Sequence, residues 1–188
     1  LGGSAFAQSQ GKVGDDVARV ASAEYFRDAF NAVQQLVQEG LLLAGHDISA
    51  GGLITCLLEM CFARVEGGLD VDLAKFRDTD LVRILFAENP GVVVQVADAH
   101  KKRFLEVLDA AGVACVKIAK PCDERHVMVH FHGADYQFGV DYLRDVWYKT
   151  SYLLDTRQSF HGCARQRYEN YGRQPLEFHF HPEFRGTF

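Results

Sequence analysis

The chain has 188 residues, 48% hydrophobic and 24% charged, and a formal net charge of −5 at pH 7. That suits one domain with a tail and ample apolar content for a core, while the acidic balance excludes the basic face that sequence-blind nucleic-acid binding needs. No apolar run approaches the roughly 20 residues of a membrane helix, and no basic n-region precedes an apolar h-region.

The expectation is therefore a cytoplasmic protein with neither nucleic acid nor membrane as partner. Cys56, Cys61, Cys115, Cys122 and Cys163 are odd in number and nowhere spaced C-x-x-C. They read as small hydrophobes in a reducing compartment, not a disulfide framework or a zinc ribbon. Leu1-Gly2-Gly3-Ser4 does not read as a natural start, so the chain is expected to be a piece of something longer.

In chain order, residues 1–16 are a glycine-rich loop with a short helical turn around residues 5–8. Ser22 caps a helix whose stripe is Phe26, Ala29, Phe30, Val33, Leu36 and Val37, and Gly40 ends it. Residues 41–44 form a short buried strand, followed by a turn through His46 to Gly52. Leu53, Ile54, Leu57, Leu58 and Cys61 then recur at helical spacing, so a helix starts at or near Gly51. Leu69, Val71 and Leu73 alternate with Asp70 and Asp72 as a half-exposed strand whose acids form a solvated face.

Thr79 or Asp80 starts a short helix through Phe86, and Pro90-Gly91 turns into Val92 to Val96, a β-branched run suited to a central strand. Asp98 caps a helix over residues 99–111, and residues 113–118 form the next strand. Residues 127–132 and 136–140 make a hairpin across Gly133-Ala134-Asp135, and a last helix covers 141–156. The interleaved order predicts an α/β (α+β) fold: a single layered domain with a mixed sheet flanked by helices. Residues 160–188 lack a period until Leu176, Phe178 and Phe180 alternate with Glu177, His179 and His181, and read as an extended linker.

The strand, glycine turn and helix start at residues 41–58 form the one stretch shaped like a site. Backbone N–H groups at a helix start favour an anion, and glycines permit its close approach. Asp47 adds a hard oxygen ligand suited to magnesium, and Ser49 adds a hydroxyl. The alternative is that Asp47 or Ser49 only caps the helix. His46 reads as orienting this loop. His130 with His132, and His179 with His181, read as residues on polar strand faces and not as a zinc site.

His46-Asp47-Ile48-Ser49-Ala50-Gly51-Gly52-Leu53 resembles the His-Asp-x-Ser-Asp-Gly-Gly-Leu motif of phosphoribosylformylglycinamidine synthase. That motif lies in the C-terminal-type domain of the superfamily that includes aminoimidazole ribonucleotide synthetase. Residues 1–8, 57–63 and 85–96 resemble the same family's neighbouring blocks, in the same order, so the similarity covers about residues 1–158. Ala50 stands where the family usually has a second aspartate.

The resemblance implies an ATP-dependent ligase of purine biosynthesis that uses glutamine as amido donor. Formylglycinamide ribonucleotide is activated as a phosphate, and ammonia displaces that phosphate to give the amidine. It implies Mg2+ and ATP or ADP as cofactors, Asp47 as a metal ligand, and Ser49, Gly51 and Gly52 at the nucleotide, in a site that is catalytic or auxiliary. No catalytic residue is assigned, and the isolated chain is expected to be inactive. Residues 1–158 would be the synthetase domain and 159–188 a linker towards a glutaminase domain, with upstream synthetase domains of the same parent chain as further partners. The alternatives are a domain of aminoimidazole ribonucleotide synthetase, selenophosphate synthetase or thiamine phosphate kinase, or a non-catalytic nucleotide-binding module.

Overall fold

A computed structural model describes residues 1–170 together with His181 and Glu183. The N-terminal segment holds α1 (Ala5–Ser9), started by Ser4, whose hydroxyl accepts from the Ala7 N–H. Helix α2 (Ala23–Gln38) starts at Ser22, which accepts from the Tyr25 N–H at 3.1 Å, and Gly40 at φ 65° follows its end. Next come β1 (Leu42–Ile48), α3 (Gly52–Phe62), β2 (Gly68–Asp72) and α4 (Leu81–Phe86). Asp80 caps α4 through the N–H groups of Val82 and Arg83. The chain continues with β3 (Gly91–Val96), α5 (Lys101–Ala110), β4 (Ala119–Cys122), β5 (His126–Phe131) and β6 (Ala134–Gly139), then α6 (Val140–Gln158) and α7 (Cys163–Asn170).

The strands form two sheets. One is the antiparallel pair β1–β3; the other has the order β4-β2-β5-β6 and is mixed, because β2 runs parallel to β5 while its other pairings are antiparallel. Between them lies α3, with Leu53, Ile54, Cys56, Leu57 and Leu58 all buried. A helix apolar around most of its circumference needs cover on two sides. Here Ile48 and Val93 pack from one sheet and Val71, Val127 and Val129 from the other, closed by Ile84 and Leu85 of α4. A smaller core joins Ala32 and Leu36 of α2 to Val107 and Leu108 of α5. The expected mixed sheet with flanking helices is the observed architecture.

Several local expectations need correction. Strand β1 runs on through Asp47 and Ile48, because β3 supplies partners for both, at Val92 and Gly91. β3 itself is not a central strand: β1 is its only neighbour among the described residues, and Val92 is 45% exposed. A β-branched run favours extended backbone without saying how many neighbours it has. Residues 113–118 are not a strand; β4 begins only at Ala119 and lies at a sheet edge, where Pro121 is tolerated.

The hairpin turns on His132 and Gly133, with φ of 49° and 79°, and not across Gly133-Ala134-Asp135. Two consecutive positive φ values match the twist of the flanking strands, and they remove His132 from the strand face it was expected to share with His130. Asp98 opens a 3-10 turn, Asp98–His100, without capping α5. On α2 the expected stripe is largely open: Phe26, Phe30 and Val37 are exposed. The segment expected as an extended linker begins with α7, which docks on α6 through Tyr168 stacked on Tyr152 and Arg167 paired with Asp155. Leu176, Phe178, Phe180 and His179 lie outside the described residues.

Candidate functional site

The loop after β1 brings the expected site residues together within one turn of chain. Asp47 is the last residue but one of β1, the partner of Val92, and its side chain is 75% exposed. Ser49 is exposed, and its hydroxyl makes no hydrogen bond among the described residues. The Ser49 carbonyl accepts from the Gly52 N–H at 3.0 Å, and Gly51, at φ 88° and ψ −5°, takes the left-handed third position of the turn. That conformation excludes most residues but suits glycine. Gly51 is the N-cap of α3 and, lacking a side chain, makes no side-chain cap bond. Neither Asp47 nor Ser49 serves as a cap.

Gly51 and Gly52 were expected to leave room for a phosphate, and the structure shows a different use of that room. A Cβ on Gly52 would stand 2.6 Å from the Leu85 carbonyl oxygen and 2.7 Å from Phe86 Cα, so the missing side chain lets the end of α4 lie against the start of α3. A Cβ on Gly51 would run into the Thr55 side chain, whose hydroxyl donates to the Gly51 carbonyl at 3.1 Å.

Further contacts belong to the site by position, and spacing could not have found them. Glu88 accepts the Gly51 N–H at 2.8 Å and, on the same oxygen, the Ala5 N–H at 2.8 Å, tying the N-terminal segment to the glycine turn. Phe6 stacked on Phe86 at 4.7 Å reinforces that contact. Behind the loop, His46 Nε2 lies 3.1 Å from Glu59 Oε2, and the Trp147 indole N–H donates to Glu59 Oε1 at 2.7 Å. In the sequence, Glu88 is marked only by lying within residues 85–96, which resemble the family.

Cys56 sits beneath β1 with its Sγ 3.7 Å from the His46 carbonyl. Burial, then the negative charges of Asp47 and Glu59, push its thiol up to about 11, and burial does the same for Cys61. Neither is a thiolate nucleophile near neutral pH.

The histidine pairs do not converge. His130 bridges two carboxylates on the outer face of the larger sheet, with Nδ1 2.6 Å from Asp135 and Nε2 2.8 Å from Asp70. Both raise its pKa above the ordinary histidine value, Asp135 most strongly through its hydrogen bond. His132 packs edge-on against Phe131 in the turn. Among the described residues no group of three or more His, Cys, Asp or Glu side chains is placed to hold a metal. Any metal at Asp47 would therefore take its other ligands from elsewhere.

Residues 1–132 match the sequence profile of the AIR synthase related protein, C-terminal domain. This chain belongs to that family. Among curated relatives, a phosphoribosylformylglycinamidine synthase of Homo sapiens is 36% identical over 170 residues, 88% of this chain and 13% of the relative. A probable chloroplastic/mitochondrial one of Arabidopsis thaliana is 33% identical over 189 residues, 100% of this chain and 13% of its own. The family member described here thus spans about an eighth of those relatives.

Among solved structures, Thermotoga maritima PurL complexed with ATP superposes with a TM-score of 0.60 at 21% identity, covering 69% of this chain and 23% of that one. The same protein complexed with FGAR gives 0.57 at 23% identity, over 70% of this chain and 22% of PurL. These likenesses show that the AIR synthase C-terminal fold is shared. None of the described helices is long and apolar enough to cross a membrane.

Proposed function

We propose that this chain is one domain of a larger phosphoribosylformylglycinamidine synthase, a glutamine-using carbon–nitrogen ligase of purine biosynthesis, and that its Asp47 loop contributes to a magnesium–nucleotide site there. The name shared by the curated relatives supports this reading over aminoimidazole ribonucleotide synthetase, selenophosphate synthetase or a purely structural module. The nucleotide complexes of the structural neighbours agree with it. Residues 1–158 would be the synthetase domain and 159–188, beginning with α7, the connection towards a glutaminase domain. Upstream synthetase domains of the same chain would complete the site.

The observation that carries the site is an exposed carboxylate and an uncommitted hydroxyl, two residues apart, on a turn held rigid from behind. The donor set fits: Mg2+ keeps several waters and uses one or two carboxylates plus substrate phosphates. Asp47 would be the protein ligand and Ser49 would donate to a phosphate oxygen. Gly51 and Gly52 would act by shaping the turn, since packing and Glu88 already engage them. A bound magnesium would neutralise phosphate charge.

The test is Asp47→Asn in the intact polypeptide that carries this domain. The swap keeps volume and touches no cap, so the melting temperature should hold while bound nucleotide and Mg2+ fall together. Ser49→Ala should weaken nucleotide binding by roughly 1.5–3 kcal/mol, about ten- to a hundredfold, the worth of one hydrogen bond to a charged acceptor. Wild-type nucleotide occupancy in Asp47→Asn would remove the metal-ligand assignment.

A further inference from the structure

We propose that His46, Glu59 and Trp147 are positioning residues that together aim the Asp47 carboxylate; this rests on the magnesium–nucleotide reading of the Asp47 loop. The Asp47 side chain makes no hydrogen bond among the described residues and lies 3.6 Å from His46 Nδ1. Its direction is set through its backbone, whose carbonyl oxygen lies 2.8 Å from His46 Nδ1. The imidazole is in turn fixed at its other nitrogen by Glu59 Oε2 at 3.1 Å, and Glu59 Oε1 accepts the Trp147 indole N–H at 2.7 Å.

Each link joins a different element: β1 to α3, and α3 to α6. The chain is also sheltered, with the His46 side chain 29% and the Glu59 side chain 21% exposed. A mostly buried carboxylate needs a partner on each oxygen, and Glu59 has one on each. Phe62, 5.4 Å from Trp147 between ring centroids, steadies the far end. A histidine–carboxylate pair behind a metal ligand is a usual way such a ligand is held in one orientation. Here it acts on the peptide of the ligand and not on its side chain.

The experiment measures Mg2+-dependent ADP binding and melting temperature in the intact polypeptide, for wild type, Glu59→Ala, Glu59→Gln and Trp147→Phe. Glu59→Ala is expected to weaken Mg–ADP binding by about 10–100-fold, as loss of an outer-shell partner does. Glu59→Gln keeps an acceptor for the indole and a polar group facing the imidazole, and should restore most of that affinity. Trp147→Phe deletes only the indole donor and keeps a ring against Phe62; it should shift affinity in the same direction, and it decides the matter should Glu59→Ala not fold.

Wild-type affinity in Glu59→Ala, or in Trp147→Phe if that variant has to decide, overturns the proposal alone. So does a Glu59→Gln variant as weak as Glu59→Ala with equally lowered melting temperature, which would mark Glu59 as merely structural. Absence of Mg–ADP binding by the wild type overturns the nucleotide reading and this proposal with it.

Discussion

Gly52→Ala tests whether the site turn is built by close packing of α4 on α3. Gly52 has φ 75°, and a Cβ there would meet the Leu85 carbonyl oxygen at 2.6 Å and Phe86 backbone carbon at 2.7 Å. Two costs add. A left-handed alanine is strained by about 1–2 kcal/mol, and forcing an atom into filled space costs about 1–3 kcal/mol more. The second should be met near its top, because the obstructing atoms are backbone that no rotamer change can move.

Gly112 is the control: at φ 64° it carries the same strain, but nothing lies within 4 Å of its Cβ position. Gly112→Ala should therefore lose only the first cost. Urea unfolding followed by circular dichroism gives both free energies, provided that the slopes with denaturant match. The expected result is a Gly52→Ala loss of about 2–5 kcal/mol, exceeding that of Gly112→Ala by about 1–3 kcal/mol. Equal losses would refute the close-packing argument and return Gly52 to the role of leaving space for a ligand.

Leu57, 1% exposed in the core around α3, should lose about 2–5 kcal/mol on truncation to Ala, whereas Leu43→Ala, 61% exposed, should stay within about 0.5 kcal/mol, both read from the same unfolding curves. Arg125 donates to the Cys61, Arg64 and Gly67 carbonyls at the end of α3 and pairs with Asp141. Arg125→Ala should cost at least about 1.5–3 kcal/mol, and Arg125→Lys should recover little, since a point charge cannot replace the guanidinium fork. Because Asp135 and Asp70 raise the pKa of His130, its contribution is present below the ordinary histidine pKa of about 6.5 and fades as pH rises through the higher folded value. The melting-temperature gap between wild type and His130→Gln should thus be wider at about pH 5.5 than at about pH 8.5; an equal gap would mean that the bridge does not form in solution.

What the sequence determined by itself was local. Ser22 and Asp80 cap the helices that follow them, and Gly40 and Gly112 turn left-handed after helix ends, because a cap or a turn is decided within about four residues. The Asp47–Gly52 turn was legible for the same reason, as was the burial of Leu53, Leu57 and Leu58 on one helix. The tertiary structure alone decided which elements meet. Val92 to Val96 states that it prefers extended backbone, not that β1 is its neighbour. Alternation along β2 states which face is buried, not that Asp70 will find His130 on a parallel strand. Glu88 reaches Gly51, and Trp147 reaches Glu59, across separations of 37 and 88 residues. Apolar periodicity specifies that a face must be covered and leaves the covering partner open. The polar contacts that hold this site follow from that partner, so they were set only when α3 was enclosed between the two sheets, α4 and α6.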